Sequence, residues 1–258
     1  MQAIVDRLRA AGCVYAEDEA ALLVAATDDP GELEALVARR IEGVPLEHVL
    51  GWAEFHGHRI VVEPGVFVPR RRSELLVDEA AALLQPGALV IDMCCGSGAI
   101  GTLLATMVAD IELHAVDIEP AAIRCARRNV EALGGVVHEG DLFDPLPPSL
   151  RGRVDIIVAN APYVPTDEID TLPREARYYE PMITLDGGDD GLGVQRRVIS
   201  GAPAWLAPGG RLLIETSGDQ SPMTSDVFIA AGFDARVATS EDLDATVVIG
   251  TLSLPARR

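Results

Sequence analysis

The sequence is poor in basic residues, because 21 Lys and Arg stand against 40 Asp and Glu and the formal net charge at pH 7 is -19. Proteins bind duplex nucleic acid largely by neutralising phosphates with Lys and Arg. The charge therefore argues against a nucleic-acid partner. Local basic clusters remain at residues 70–72 and on one predicted helix, where we interpret Arg124, Arg127 and Arg128 as a solvated face.

Long hydrophobic runs and a secretion signal are also missing. No apolar run reaches the roughly 20 residues that a membrane-spanning helix needs. Residues 1–7 lack a basic region followed by an apolar core, so we predict no signal peptide. We expect a cytoplasmic protein without a membrane association.

Cysteine is scarce, and its spacing suits neither a disulfide framework nor a metal site. The four residues are Cys13, Cys94, Cys95 and Cys125. The adjacent pair fits no zinc pattern, so we predict no metal. We interpret Cys94 and Cys95 as small apolar fillers, with a redox role as the alternative.

The first part of the chain has helical spacing of apolar residues. Ile4 and Leu8, then residues 20–26, then a start at Pro30 predict successive helices. We predict a small helical domain over residues 1–42.

The rest of the chain predicts a linker and one α/β domain. Residues 43–71 predict a β-hairpin linker around Gly57. Strand and helix patterns then alternate, which favours a mostly parallel sheet over residues 72–258. The Pro- and Gly-rich stretch 164–192 is predicted to be a structureless substrate lid or wall. Further predicted elements are a helix at 192–206, strands at 211–215 and 245–252, and a helix at 221–231.

Three successive predicted strands end in residues suited to a nucleoside. The first runs into a turn of small residues, where the backbone can approach a ligand and a helix start offers free N–H groups. The second ends at Asp117, and an acid at that place is the usual partner of ribose hydroxyls. The third is followed by Asp141. The turn after the first strand contains Asp92, Cys94, Cys95, Gly96 and Gly98.

The tetrapeptide Asn160, Ala161, Pro162 and Tyr163 follows a fourth apolar strand, 154–159. An Asn side-chain oxygen accepts hydrogen bonds from an NH2 group. Ala161 precedes a proline, which biases it toward an extended conformation that aims its carbonyl at the same group. Tyr163 offers a flat face for stacking. The pattern predicts a clamp for a planar NH2 group, and an ordinary turn is the alternative.

In this order the motifs resemble the HemK/PrmC family of S-adenosylmethionine-dependent protein glutamine methyltransferases. The resemblance runs from about residue 45 to residue 250 and includes Glu180. It implies a Rossmann-like class I methyltransferase domain with a mostly parallel seven-stranded sheet. It also implies S-adenosylmethionine as cofactor and a protein substrate, the glutamine of the Gly-Gly-Gln tripeptide in peptide-chain release factors.

The resemblance also implies that the helical domain of residues 1–42 lies on the substrate side, and it implies roles for individual residues. Asp117 would hold the ribose, Asp141 the adenine amino group, and Leu142 would pack on the ring. Substrate binding would fall to Arg70 and Glu180 together with the clamp residues Asn160 and Tyr163. The full cofactor-binding set is Asp92, Cys94, Cys95, Gly96, Gly98, Asp117, Ile118, Asp141, Leu142 and Asn160.

Three departures separate this sequence from the family pattern. Ala161 replaces a proline, although its backbone carbonyl remains. Cys94 replaces a glycine, and since cysteine disfavours positive φ we expect an ordinary backbone region there. Arg71 and Arg72 replace a proline and an acid, which suits an acidic substrate.

Alternative functions follow from these departures and from a helical domain that is shorter than is usual in the family. One is N-methylation of a small amide, amine or amino acid. A second is adenine-N6 methylation of nucleic acid, which the tetrapeptide allows and the charge opposes. A third is a non-catalytic protein that binds the cofactor without transfer.

Overall fold

The computed structural model describes residues 1–253, so the last five residues of the predicted 72–258 domain lie outside the described residues. Four helices open the chain, and their apolar faces meet in a cluster that includes Leu8, Leu23 and Val37. Asp29 caps the third helix, because its Oδ1 accepts hydrogen bonds from the Gly31 and Glu32 N–H groups. These helices are α1 (Gln2–Ala10), α2 (Ala16–Ala26), α3 (Pro30–Ile41) and α4 (Leu46–Leu50).

The predicted hairpin is confirmed as β1 (Trp52–Phe55) paired antiparallel with β2 (His58–Val61). His56 and Gly57 form its turn with φ of 50° and 73°. Positive φ at both turn residues matches the twist of paired strands. Helix α4 precedes the hairpin inside the predicted linker and was not predicted, because five residues are too few to show a period.

The predicted seven-stranded sheet is confirmed, with the spatial order β5-β4-β3-β6-β7-β9-β8. The strands from β3 to β7 pair in parallel, whereas β9 is antiparallel to both of its neighbours. The strands are β3 (Leu89–Met93), β4 (Glu112–Asp117), β5 (Val136–Glu139), β6 (Val154–Ala159), β7 (Leu206–Thr216), β8 (Phe233–Ser240) and β9 (Ala245–Leu252).

Helices pack on the sheet and bury two apolar clusters. They are α5 (Glu74–Ala81), α6 (Ala99–Met107), α7 (Pro120–Val130), α9 (Gly193–Gly201) and α10 (Ser221–Ala230), whereas α8 (Arg174–Tyr179) lies in the 164–192 stretch. Within residues 1–253, no helix is both long and apolar enough to cross a membrane.

Two predicted boundaries were wrong. The helix predicted over 192–206 ends at Gly201, and the next strand begins at Leu206 instead of residue 211. Pro and Gly at 208–210 suggested a break, but the chain keeps pairing with β6 through an irregular register. The stretch 164–192 is also not structureless, since it contains α8 and two short 3-10 helices.

The order of the strands in the sheet determines where a ligand site can form. The chain moves outward from β3 to β4 and β5 on one side, then returns to β6 on the other side of β3. At such a reversal the loops after the two central strands separate and leave a crevice at the carboxyl ends. Here those loops carry Cys94 and Asn160.

Candidate methyl-transfer site

A cavity of about 710 Å³ opens at the carboxyl ends of β3, β4 and β6. Ligand pockets usually range from about 300 to 1,000 Å³, so the volume suits a nucleoside-sized ligand together with an acceptor group. Asp92 and Gly98 are not among its lining residues. The predicted residues that line it are Arg70, Cys94, Cys95, Gly96, Asp117, Ile118, Asp141, Leu142, Asn160, Ala161, Pro162, Tyr163 and Glu180.

Cys94, in the turn after β3, does not have the backbone conformation that we expected. Its φ is +58°, in the left-handed region, where we expected an ordinary value. The turn is fixed by three short contacts: Cys95 N–H to Val116 O at 3.0 Å, Gly98 N–H to Cys95 O at 2.7 Å, and Gly96 N–H to Asp117 Oδ2 at 2.8 Å. Surrounding structure thus holds a non-glycine residue in a conformation that costs about 1–3 kcal/mol.

Gly98 lies where α6 packs closely against α7. A Cβ at this residue would lie 2.7 Å from the Val130 Cγ2 atom of α7, and φ is +76°. Glycine therefore lets α6 begin directly against α7. The predicted role of Gly98 in giving room near the cofactor stays a prediction.

Asp117 lies at the end of β4 with 8% of its surface exposed. Its Oδ2 accepts from Gly96 N–H and its Oδ1 accepts from Glu119 N–H at 2.9 Å. Burial raises the pKa of Asp117 above its ordinary value, although these backbone donors oppose the shift. The carboxylate braces the turn and still faces the cavity.

Asp92 is buried behind the turn. Its Oδ2 accepts from Gly101 N–H at 2.8 Å, and its Oδ1 has no hydrogen-bond partner among residues 1–253. Burial raises the pKa of Asp92 from 3.8 to about 7, with Gly101 N–H opposing the shift and Asp117 adding to it. Asp92 therefore organises the start of α6 at an energetic cost near neutral pH.

An Asp92→Asn variant tests that cost. A carboxyl whose pKa is higher in the folded state than in the unfolded chain stabilises the fold most at a pH below its pKa in the unfolded chain. This contribution is lost as the pH rises toward its pKa in the folded state. Asparagine keeps an acceptor for Gly101 and cannot ionise. At pH 8 the unfolding free energy of the variant should be higher than that of the parent by at most about 4 kcal/mol, because a shift of one pKa unit corresponds to about 1.36 kcal/mol. Urea unfolding of both proteins at pH 5 and pH 8 measures this difference in unfolding free energy. A difference of the same size at the two pH values would contradict the prediction.

Asp141 lies two residues after β5 and pairs with Arg197 of α9, with Nη2 to Oδ2 at 2.6 Å. The next residue, Leu142, has a φ of +48° and packs against the apolar cluster beneath the cavity. Arg197 was not predicted, because nothing in the local sequence links it to a residue 56 positions earlier.

The tetrapeptide is held by contacts from several elements. Asn160 Nδ2 donates to Ser73 Oγ at 3.1 Å, and Tyr163 Oη donates to Glu215 Oε1 at 3.2 Å. The Asn160 side-chain oxygen makes no hydrogen bond within residues 1–253, so it remains available to a ligand. Gln220 Nε2 donates to the Tyr163 carbonyl at 2.8 Å.

A glycine from the 164–192 stretch supports the same segment. A Cβ on Gly191 would lie 2.2 Å from both the Tyr163 carbonyl oxygen and Gln220 Nε2. This close approach, at a φ of +74°, explains why glycine is needed there. The predicted substrate wall is thus packed directly against the clamp.

Glu180 and Arg70 form one wall of the cavity. Glu180 Oε1 accepts from Arg70 Nη2 and from Val68 N–H at 3.2 Å. Burial raises the pKa of Glu180 above its ordinary value, although Arg70 opposes this. The charge of Arg70 is therefore paired with that of Glu180. Arg72 also lines the cavity, but it is exposed.

Comparisons with known proteins identify the family. Residues 57–173 match the Methyltransferase small domain. A release factor glutamine methyltransferase from Geobacter sulfurreducens is 41% identical over 80% of this chain and 73% of its own length. One from Cereibacter sphaeroides is 36% identical over 99% of this chain and 98% of its own length. The chain belongs to the release factor glutamine methyltransferase family.

The comparisons confirm the predicted resemblance and the class I methyltransferase fold. A relative from Streptomyces pristinaespiralis, named 4-amino-L-phenylalanine/4-methylamino-L-phenylalanine methyltransferase, is 36% identical over 76% of this chain and 69% of its own length. A solved methyltransferase from Pyrococcus furiosus shares the fold with a TM-score of 0.59 and 17% identity, over 77% of this chain and 91% of that chain.

This member of the release factor glutamine methyltransferase family is an enzyme with S-adenosylmethionine as its cofactor. The residues present fit that group. At Gly96 the turn has a φ of +55° and leaves open space where a side chain would stand. The Asp117 carboxylate lies at the end of the next strand and lines the same cavity. Both features suit a nucleoside, and Asn160 lines the same cavity.

Proposed function

We propose that this enzyme methylates the side-chain amide nitrogen of a protein glutamine, that of the Gly-Gly-Gln tripeptide in peptide-chain release factors. The observation that carries the proposal is that the Asn160 side-chain oxygen makes no hydrogen bond within residues 1–253, while Asn160 and Ala161 both line the cavity. Two acceptors side by side match the two N–H groups of a primary amide.

The residues act mainly by positioning. S-adenosylmethionine supplies a methyl group on a sulfonium, which a nucleophile displaces in line. An amide nitrogen is a weak nucleophile because its lone pair is delocalised into the carbonyl. The Asn160 oxygen and the Ala161 carbonyl hold its two N–H bonds, orient the lone pair and stabilise the charge that develops on nitrogen, which loses one of its protons during or after transfer. Tyr163 packs against the planar amide and excludes water.

The cofactor residues divide between two regions of the cavity. Asp117 accepts hydrogen bonds from the ribose hydroxyls, and Ile118 lies beside it. Asp141 accepts from the adenine amino group while Leu142 packs on the ring. The Cys94, Cys95 and Gly96 turn, with Gly98 and Asp92 behind it, shapes the methionine end.

Residues 1–42 form the substrate-side domain in this proposal, residues 43–71 the linker, and residues 72–258 the cofactor-binding domain. A contact between α3 and α8 supports this division, because Arg40 Nη1 of α3 lies 2.7 Å from Glu175 Oε1 of α8. Because Glu175 also lines the cavity, α3 is tied directly to the substrate wall.

Methyl transfer from labelled S-adenosylmethionine to a purified release factor tests the proposal. We expect label on the wild-type factor and none on a factor whose tripeptide glutamine is changed to alanine. Equal label on both factors would contradict the proposed acceptor.

A second candidate is a small aromatic amine or amino acid. The Streptomyces pristinaespiralis relative favours it, as does Arg72, a cation in the cavity wall that can pair with a carboxylate. The same assay with 4-amino-L-phenylalanine separates the two, because label on the amino acid and none on the release factor supports this second candidate.

A further inference from the structure

Gln220, the residue before α10, lines the cavity next to the clamp of residues 160–163 and is 7% exposed. Its Nε2 donates to two backbone carbonyls, that of Tyr163 at 2.8 Å and that of Asp190 at 3.2 Å. Tyr163 is the last residue of the clamp, whereas Asp190 belongs to the substrate wall of residues 164–192. One side chain therefore bridges the two parts of the acceptor site.

The orientation of the Gln220 amide follows from its partners. The two backbone carbonyls only accept hydrogen bonds, so the NH2 group must face them. On its other side, Gln220 Oε1 accepts from the Ser217 hydroxyl at 3.0 Å, and Ser217 Oγ accepts from the Gln220 backbone N–H at 3.1 Å. Both N–H bonds of the amide and its oxygen thus have partners, and a fully satisfied polar network is rigid.

The two carbonyls depend on this amide. Neither the Tyr163 carbonyl nor the Asp190 carbonyl accepts another hydrogen bond within residues 1–253. The space around the amide is equally restricted, since a Cβ on Gly191 would lie 2.2 Å from Gln220 Nε2. Loss of the amide would leave two carbonyls without a donor at the point where the wall meets the clamp, which is costly wherever water cannot replace the donor.

We propose that Gln220 is a positioning residue that fastens the substrate wall to the clamp. This inference rests on the proposed function, because it concerns how the acceptor amide is placed beside Asn160 and Ala161. Gln220 lies 57 residues after Tyr163 and 30 residues after Asp190, and none of the predicted motifs includes it.

The first test is hydrogen exchange of the backbone, which needs no acceptor. Within the wall and just after it, the N–H groups of Gly187, Gly191 and Gly193 donate to backbone carbonyls. In Gln220→Met, these groups should exchange about 5- to 30-fold faster, the effect of two neutral hydrogen bonds on local opening. Exchange in the β1-β2 hairpin should stay unchanged, whereas a general loss of stability would accelerate it as well.

The second test is kinetic. At about pH 8, Gln220→Met and Gln220→Glu should each lower kcat/KM for the acceptor about 10- to 100-fold, since small misplacements of reacting groups cost up to about 100-fold. The affinity for S-adenosylmethionine should stay within about 3-fold of the parent, because the two carbonyls belong to the acceptor side. The matched control is Gln85→Met, which removes an exposed amide that donates to the Leu84 carbonyl.

Gln220→Glu also offers a rescue by protonation. An ionised carboxylate has no donor for the two carbonyls, whereas the protonated form can donate to one of them. Burial beside two carbonyl oxygens favours that protonated form, so kcat/KM of this variant relative to the parent should rise as the pH falls from about 8 to about 6. Gln220→Met has no proton to gain and should show no such recovery.

Unchanged exchange at Gly187, Gly191 and Gly193 in Gln220→Met would overturn the inference, and so would the same pH profile for Gln220→Glu and Gln220→Met. If Gln220→Met fails to fold, Gln220→Glu decides, because its exchange relative to the parent should slow as the pH falls. Failure of the parent enzyme to label a release factor would instead overturn the proposed function, and hydrogen exchange would still decide whether Gln220 holds the wall.

Discussion

The Asn160→Ala enzyme should transfer methyl groups about 100- to 1,000-fold more slowly than the parent. Loss of one preorganised group that stabilises developing charge costs about that much in other enzymes. The Asn160 oxygen is unpaired within residues 1–253 and lines the cavity, so its removal takes away an interaction that acts on the acceptor. The fold should persist, because the side chain donates a single neutral hydrogen bond to Ser73.

Single-turnover transfer and calorimetric cofactor binding separate chemistry from binding. S-adenosylmethionine affinity should fall at most about 10-fold, the scale of one neutral hydrogen bond. Gln2→Ala removes an exposed amide that donates a hydrogen bond to Asp6, and this variant serves as the control. Full transfer by the Asn160→Ala enzyme would remove the clamp from the mechanism.

Replacing Arg40 with methionine should lower the unfolding free energy by about 3–5 kcal/mol, the usual cost of removing one partner from a buried ion pair. Arg40 and Glu19 are each 8% exposed. Arg40 Nε lies 2.6 Å from Glu19 Oε2, and its Nη1 contacts both Glu175 and the Val44 carbonyl. The variant leaves the Glu19 carboxylate buried without its cation.

Urea unfolding of matched variants measures this effect. Arg9→Met removes the cation of an exposed pair with Glu17 and should cost less than about 1 kcal/mol. Adding Glu19→Leu to Arg40→Met should recover much of the loss, because an apolar pair replaces an isolated charge. Equal losses for Arg9→Met and Arg40→Met would show that Arg40 acts as a surface residue.

The sequence was sufficient where the determining forces are local. Helical spacing of apolar residues predicted the helices of residues 1–42, strand patterns on both sides of Gly57 predicted the hairpin, and continuous apolar runs predicted the parallel strands. Small and acidic residues at successive strand ends predicted which positions share the cavity, because parallel strands place their carboxyl ends at one edge of the sheet. Asp117 and Asn160 follow from this rule alone.

Sequence patterns failed where backbone conformation depends on neighbours. Cys94 has positive φ because hydrogen bonds from the turn and Asp117 hold the loop, and these outweigh the preference of a residue with a Cβ. The early start of β7 has a similar cause, because pairing with β6 continues on both sides of the Pro-Gly-Gly segment.

The sequence by itself determined the motif order, the strand ends and the acceptor tetrapeptide, since each depends on residues close together in the chain. Tertiary structure alone decided which side chains support them. Ser73, Arg197 and Glu215 reach the site from elements 52 to 87 residues away from their partners, and β9 lies between β7 and β8 although it follows both. Such pairings are set by packing in three dimensions, which leaves no period or spacing in the sequence.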